Sequence, residues 1–220
     1  MHLALHSSHE HPGDLELNRL LFRALGLTAP KIGYIPSDDH ADQTWFLEYG
    51  ELYAKLGASL GPVVTLNEPV SEHAWNELLS CDAIQLPGGD TFNFLTRTRK
   101  HNLESRLRTF LAHGGALIGV SAGSILMTPD ILTAAICGDP MPVGEFDSSG
   151  FGLVDFLFVP HFDGTNAMLE AAQAEATSQQ RSVFLCPDGS GILVNQGSIQ
   201  PFGNPIRLEP KPLQASSPRT

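Results

Sequence analysis

Positive charge and sulfur are scarce in this sequence. Lys and Arg number 13 against 24 Asp and Glu, a formal net charge of −11, and such a field repels phosphate backbones and anionic bilayers. Nucleic acid is therefore not an expected partner, and a small anion would need one local cation to outweigh the background. Only three cysteines are present, Cys81, Cys137 and Cys186. They are far apart, odd in number and lack any CxxC spacing, which argues against a disulfide framework, a zinc site and a redox pair. Long apolar runs are also missing, since no stretch approaches the ~20 residues that cross a bilayer. The first residues turn polar by His6 without the basic and apolar regions of a secretory leader. The expectation is a cytoplasmic chain with no membrane partner, no cofactor and no metal.

What is present suits one α/β domain. At 220 residues, 42% hydrophobic and 17% charged, a chain buries about 70% of its unfolded surface without cross-links. Near-continuous apolar runs at 3–5, 31–35, 62–66, 83–86 and 116–120 read as strands of a parallel sheet covered on both faces. Helix-type segments lie between them at 14–25, 44–56, 71–79 and 102–112. Asp14 reads as the cap of the first, and Gly26, Gly57 and Gly114 as stops. This is βαβ organisation, and it predicts a three-layer α/β/α sandwich with a mostly parallel central sheet. Beyond Met127 the runs at 131–136, 154–159, 183–185, 192–194 and 198–201 shorten and are broken by Gly, Pro and Asp. They read as hairpins and edge strands, with one helix over 165–176. A single catalytic domain over 1–209 and a frayed tail over 210–220 complete the expected organisation.

The strand at 116–120 runs into Gly119-Val120-Ser121-Ala122-Gly123, and Ile125-Leu126-Met127 continues as a helix. G-x-S-x-G between strand and helix is a nucleophile elbow. The chemistry needs small neighbours there, because the turn folds flanking residues back against strand and helix. Helix-start N–H groups then face a developing oxyanion. The bland alternative is a small-residue turn with a capping serine.

A second glycine loop, Leu86-Pro87-Gly88-Gly89-Asp90-Thr91, follows the strand at 83–86 and opens another helix, with Asp90 able to cap it. It reads either as a tight β-to-α turn or as a ligand loop. In the second case the Gly89 N–H joins that of Ala122 in an oxyanion hole, and Gly88, Asp90 and Thr91 contact substrate. Neither G-x-G-x-x-G nor G-x-x-x-x-G-K is present, which disfavours a phosphate site. Nine histidines compete to be the base. His161 ends the run Phe156-Leu157-Phe158-Val159-Pro160, where proline stops a ladder; His6, His9 and His11 read as solvated loop residues, and His40, His73, His101 and His113 as helical or exposed. The orienting carboxylate is Asp188, in Pro187-Asp188-Gly189, with Asp163, Asp155 and Asp139 as alternatives.

Three segments in succession, Pro87-Gly88-Gly89-Asp90-Thr91-Phe92, Gly119-Val120-Ser121-Ala122-Gly123 and Val159-Pro160-His161-Phe162, together with Gly150-Phe151-Gly152-Leu153, resemble the peptidase E family of aspartyl dipeptidases. That family is related to cyanophycinase and to class I glutamine amidotransferase-like domains. The resemblance implies Ser121 as nucleophile, His161 as base, and Gly89 with Ala122 as oxyanion donors. The family's third member is a glutamate in a Pro-Glu-Gly turn, and here the matching turn carries Asp188. With one methylene less, that turn has to lie closer to His161, or another carboxylate has to serve. The family is also expected to hold a substrate carboxylate with an arginine beyond the histidine, yet residues 163–180 contain no Arg or Lys.

Two rival readings remain. An α/β-hydrolase esterase places its acid before its histidine, against the order Ser121, His161, Asp188 here. A non-catalytic binding domain would keep the elbow as architecture. A thiol amidotransferase is disfavoured, because none of the cysteines stands at the elbow. The expected ligand is a small peptide, and the sequence leaves a homodimer open.

Overall fold

The structure is a computed structural model that describes residues 1–9, 11–38 and 43–212. His40 and the expected frayed segment from 213 onward lie outside the described residues. The elements are β1 (His2–His6), α1 (Pro12–Leu25), β2 (Lys31–Tyr34), α2 (Gln43–Ala54), β3 (Ser59–Val63), α3 (Glu72–Leu79), β4 (Ala83–Leu86), α4 (Thr91–Lys100) and α5 (Leu103–Ala112). They continue with β5 (Ala116–Val120), α6 (Ala122–Leu126), α7 (Thr133–Ile136), β6 (Leu157–Val159), α8 (Asn166–Gln179), β7 (Val183–Leu185), β8 (Gly191–Asn195), β9 (Ser198–Phe202) and β10 (Ile206–Leu208).

The main sheet has the order β3-β2-β4-β5-β1-β8-β9. The first five of these strands are parallel, and β8 and β9 add an antiparallel hairpin beyond β1. Alternate side chains enter opposite cores, as strand pleating requires. Leu3, Leu5, Ile84, Leu86 and Leu117 pack with α3, α4 and α5, whereas Ala4, Ala83, Ile118 and Val120 pack with α1 and α2. Both faces are covered, giving the three-layer α/β/α sandwich. A second sheet, β10-β7-β6, has its own cluster with Ala172 and Ala176 of α8. Register aligns Leu5 with Gly119 and Leu86 with Gly119, and His6 with Val120. The ends of β1, β4 and β5 therefore meet at one carboxyl edge, the usual location of a site in an open α/β sheet.

Local physics explains where sequence and structure part. The first helix is capped by His11, whose Nδ1 accepts the Gly13 N–H at 3.1 Å, while Asp14 reaches back to the His11 N–H at 3.0 Å. Asp14 is thus the reciprocal half of a capping box rather than the cap itself. The strand expected at 62–66 starts at Ser59; it is an edge strand with a register shift beside Pro62, which is where a residue without an N–H is tolerated. The run 131–136 is helical over Thr133–Ile136, because the Asp130 carboxylate accepts the Leu132 N–H at 2.8 Å and turns the chain. Among the described residues after Met127, only β8 and β9 form a hairpin. The strands β6 and β7 are parallel, joined through α8 as a βαβ unit, and β10 pairs antiparallel with β7.

Candidate active site

Ser121 follows β5 with φ 49° and ψ −110°, a region that costs a non-glycine residue about 1–3 kcal/mol. Its N–H donates to the His6 carbonyl at 3.0 Å, and Ser124 Oγ donates to the same oxygen at 2.9 Å. The Gly123 N–H donates to the Pro87 carbonyl at 3.1 Å. The elbow is therefore tied to β1 on one side and to the loop after β4 on the other. Steric closeness accounts for both motif glycines. A Cβ on Gly119 would lie 2.7 Å from the Ser124 nitrogen, and one on Gly123 would lie 2.0 Å from the Leu86 oxygen. α6 has only five residues, so no extended helix dipole stands behind Ser121. Ala122 is its first residue, so its N–H has no acceptor within the helix.

His161 stands just past β6 and Pro160 with φ 56°. Its Nε2 lies 2.9 Å from Ser121 Oγ and its Nδ1 lies 2.8 Å from Asp188 Oδ1. A carboxylate only accepts, so Nδ1 carries the proton and Nε2 accepts from the Ser121 hydroxyl. His161 and Asp188 are 43% and 56% exposed, which leaves the site open to solvent and substrate. Asp188 reaches the imidazole directly, on a turn closed by the Ser190 N–H to the Pro187 carbonyl at 3.1 Å with Gly189 at φ 78°.

The other carboxylates are engaged elsewhere. Asp163 accepts the Thr165 N–H at 2.9 Å, Asp139 accepts the Thr91 N–H at 2.8 Å, and Asp155 pairs with Arg181. Hydrogen bonds from Thr165, its side chain first, hold the Asp163 carboxyl below its usual range. The remaining histidines also have other partners. His101 Nε2 bonds the Leu66 carbonyl at 3.1 Å, His113 bonds the Thr109 carbonyl at 2.8 Å, and His73 lies 3.8 Å from Glu77. His6 corrects the loop reading: it ends β1, is 1% exposed, and bonds Asn18 at 3.0 Å and Asp14 at 3.4 Å. Among the described residues no group of three or more His, Cys, Asp or Glu side chains converges as a metal site.

The second glycine loop leans over Ser121. A Cβ on Gly88 would sit 3.5 Å from Ser121 Cβ. Gly89 has φ 138°, a conformation open to glycine, and a Cβ there would lie 2.4 Å from Ser37 Oγ. Ser37 Oγ in turn donates to the Gly88 carbonyl at 2.7 Å. Asp90 caps α4 by accepting the Asn93 N–H at 2.9 Å, and Thr91 is buried. Gly88 thus lies beside Ser121 and Gly89 against Ser37, while Asp90 and Thr91 anchor the loop. Sequence reasoning passed over the pair His6-Ser7; the signal available for it was its place at the carboxyl end of a parallel strand.

Burial also disfavours ionisation of the three thiols. Burial pushes Cys186 well up, pushes Cys81 up, and raises Cys137 to about 12, with Asp139 adding to the effect at Cys137.

Comparison with known proteins gives a consistent picture. A family model described as Peptidase family S51 matches residues 3–201. Peptidase E of Salmonella gallinarum is 27% identical over 208 residues, covering 88% of this chain and 81% of the relative. Peptidase E of a Nostoc species is 27% identical over 191 residues, covering 82% of this chain and 75% of the relative. Among solved structures, a peptidase E candidate from Listeria monocytogenes EGD-e gives a TM-score of 0.72 at 21% identity, covering 91% of this chain and 96% of that one. A peptidase from an acI-B1 actinobacterium gives 0.60 at 16% identity, covering 95% and 94%. These likenesses establish the fold, which is of the class I glutamine amidotransferase-like type.

Two outcomes follow from the geometry. Gly123→Ala drives a methyl into the Leu86 carbonyl, and overpacking of this kind costs about 1–3 kcal/mol or more; urea unfolding should show a lower midpoint at unchanged slope. With Cys137 near 12, about one thiol in 10⁴ is ionised at pH 8. Ellman's reagent should therefore find no fast-reacting thiol in the native protein and three after unfolding.

Proposed function

We propose that this chain, which belongs to peptidase family S51 and is a serine-type peptidase, cleaves short, dipeptide-like substrates through Ser121, His161 and Asp188 by way of an acyl-enzyme. The observation that carries the reading is the continuous relay from hydroxyl to imidazole to carboxylate, at 2.9 and 2.8 Å. Both spacings lie within proton-transfer reach.

The chemistry then runs as follows. His161 Nε2 takes the Ser121 proton as Oγ attacks the peptide carbonyl carbon. Negative charge gathers on the carbonyl oxygen, where the N–H groups of Gly89 and Ala122 receive it; each such donor is typically worth 10²–10³ in rate. Asp188 stabilises the imidazolium and fixes its tautomer. The imidazolium proton passes to the leaving amine as the C–N bond breaks. Water, deprotonated by His161, attacks the Ser121 ester and releases the acid. No cofactor or metal is called on. Gly88 flanks the substrate directly, while Asp90 and Thr91 contribute by setting the path of the loop.

Aspartyl specificity is not favoured. Residues 163–180 contain no Arg or Lys. Arg99 pairs with Asp147 at 3.0 Å, Arg181 pairs with Asp155, and Arg97 bonds Asn67. We read the substrate side chain as uncharged, the compartment as the cytoplasm, and the partners as small peptides rather than nucleic acid, given the net charge of −11. No helix among the described residues is long and apolar enough to cross a membrane.

The test is a dipeptide-library screen followed by substitution. Ser121→Ala should lower kcat/KM by at least about 10⁴-fold and Asp188→Asn by about 10³–10⁴-fold. Undiminished hydrolysis by folded Ser121→Ala would remove the proposal.

A further inference from the structure

A serine hydroxyl has one proton to give and two lone pairs to receive with. At Ser7, just beyond β1 and 0% exposed, the hydroxyl is engaged by the segments that carry His161 and Asp188. The His161 backbone N–H donates to Ser7 Oγ at 2.8 Å. The hydroxyl proton faces two acceptors, the Cys186 carbonyl at 2.8 Å and Asp188 Oδ1 at 3.0 Å. The Cys186 carbonyl also accepts the Phe162 N–H at 3.1 Å, so Cys186 grips the chain immediately after His161. The Ser7 N–H donates to the Ser190 carbonyl at 3.1 Å, which fixes the turn that carries Asp188. The preceding residue, His6, supplies the carbonyl that holds the Ser121 N–H.

One dipeptide, His6-Ser7, thus connects the segment bearing the nucleophile to the two segments bearing base and acid. His161 occupies the left-handed region at φ 56°, and a histidine stays there only where its surroundings insist. We propose that Ser7 is a positioning residue for the triad, holding His161 and Asp188 in register with each other and with Ser121. This rests on the serine-peptidase reading given above. Ser7 does not touch substrate; it acts by keeping Nε2 at 2.9 Å from Oγ. A misplacement of about 1 Å in such a constellation costs about 10²-fold in rate.

The test follows the rate at which a fluorophosphonate probe labels Ser121, located by mass spectrometry. It compares wild type, Ser7→Ala, Ser7→Cys, Asp188→Ala and the double variant. Thermal melting confirms that each is folded. Ser7→Ala should lower the limiting labelling rate about 10–100-fold at unchanged half-saturating probe concentration. Ser7→Cys, which keeps a weak donor in a similar volume, should fall between the two. In the Asp188→Ala background, removing the Ser7 hydroxyl should have an effect at least about threefold smaller, because one of the groups it holds is gone. Labelling of Ser7→Ala within about twofold of wild type, or an identical factor in both backgrounds, overturns the proposal. Should Ser7→Ala not fold, Ser7→Cys takes its place in the same cycle and the same criteria apply. A wild type that takes no label at Ser121 removes the triad and the role of Ser7 together, whereas a labelled wild type with an indifferent Ser7→Ala removes the role of Ser7 alone.

Discussion

The strained backbone of Ser121 is the constraint on which the rest of the site depends. At φ 49° and ψ −110° the residue would relax unless its neighbours prevented it, and the cost of holding it is of the order of 1–3 kcal/mol. Hydrogen bonds from Ser121 and Ser124 converge on one carbonyl at the end of β1, and a third anchors Gly123 to Pro87. The glycines of the motif follow from this, because the turn can close only if the chain at 119 and 123 carries no side chain. The approach of the Gly88 loop follows too, since Pro87 and Gly88 are drawn over the serine by the bond that fixes Gly123. Strain and close packing are aspects of one arrangement.

How much of this the sequence disclosed depended on whether the determinant was local. The strands at 83–86 and 116–120 match their expected limits, because each is a continuous apolar run bounded by loop residues and buried on both faces. The elbow and the run ending at Pro160 were likewise visible as patterns of adjacent residues. The run at 131–136 was misleading, since a short apolar segment carries no period long enough to separate strand from helix, and the Asp130 turn settled the matter. β10 left too little signal in three residues. The type of turn at 187–189 was readable, but its distance from His161 was not, because that distance is set by pairing between β6 and β7 across 27 positions of chain. Ser7 escaped for the same reason: its partners lie 154 and 181 positions away.

Positive charge, scarce in the sequence, is also committed in the fold. Arg106 lies on Trp75 and bonds Glu72, Arg108 bonds Glu104, and Arg207 bonds Glu209. These pairs lie at the surface, where each contributes little to stability. Their effect is rather to neutralise the few cations at the periphery. What lies against the Ser121 hydroxyl is the His161 imidazole.

The side chains of the proposed triad are divided unequally between the two sheets. Ser121 belongs to the seven-stranded sheet, whereas His161 and Asp188 follow β6 and β7, neighbouring parallel strands of the three-stranded one. Base and acid therefore travel as a cassette. That cassette is not free of the larger sheet, because Ser7, beyond β1, binds both the His161 N–H and the Asp188 carboxylate, and the turn at 187–189 leads directly into β8. A change of carboxylate length in that turn therefore has to be absorbed by both sheets at once.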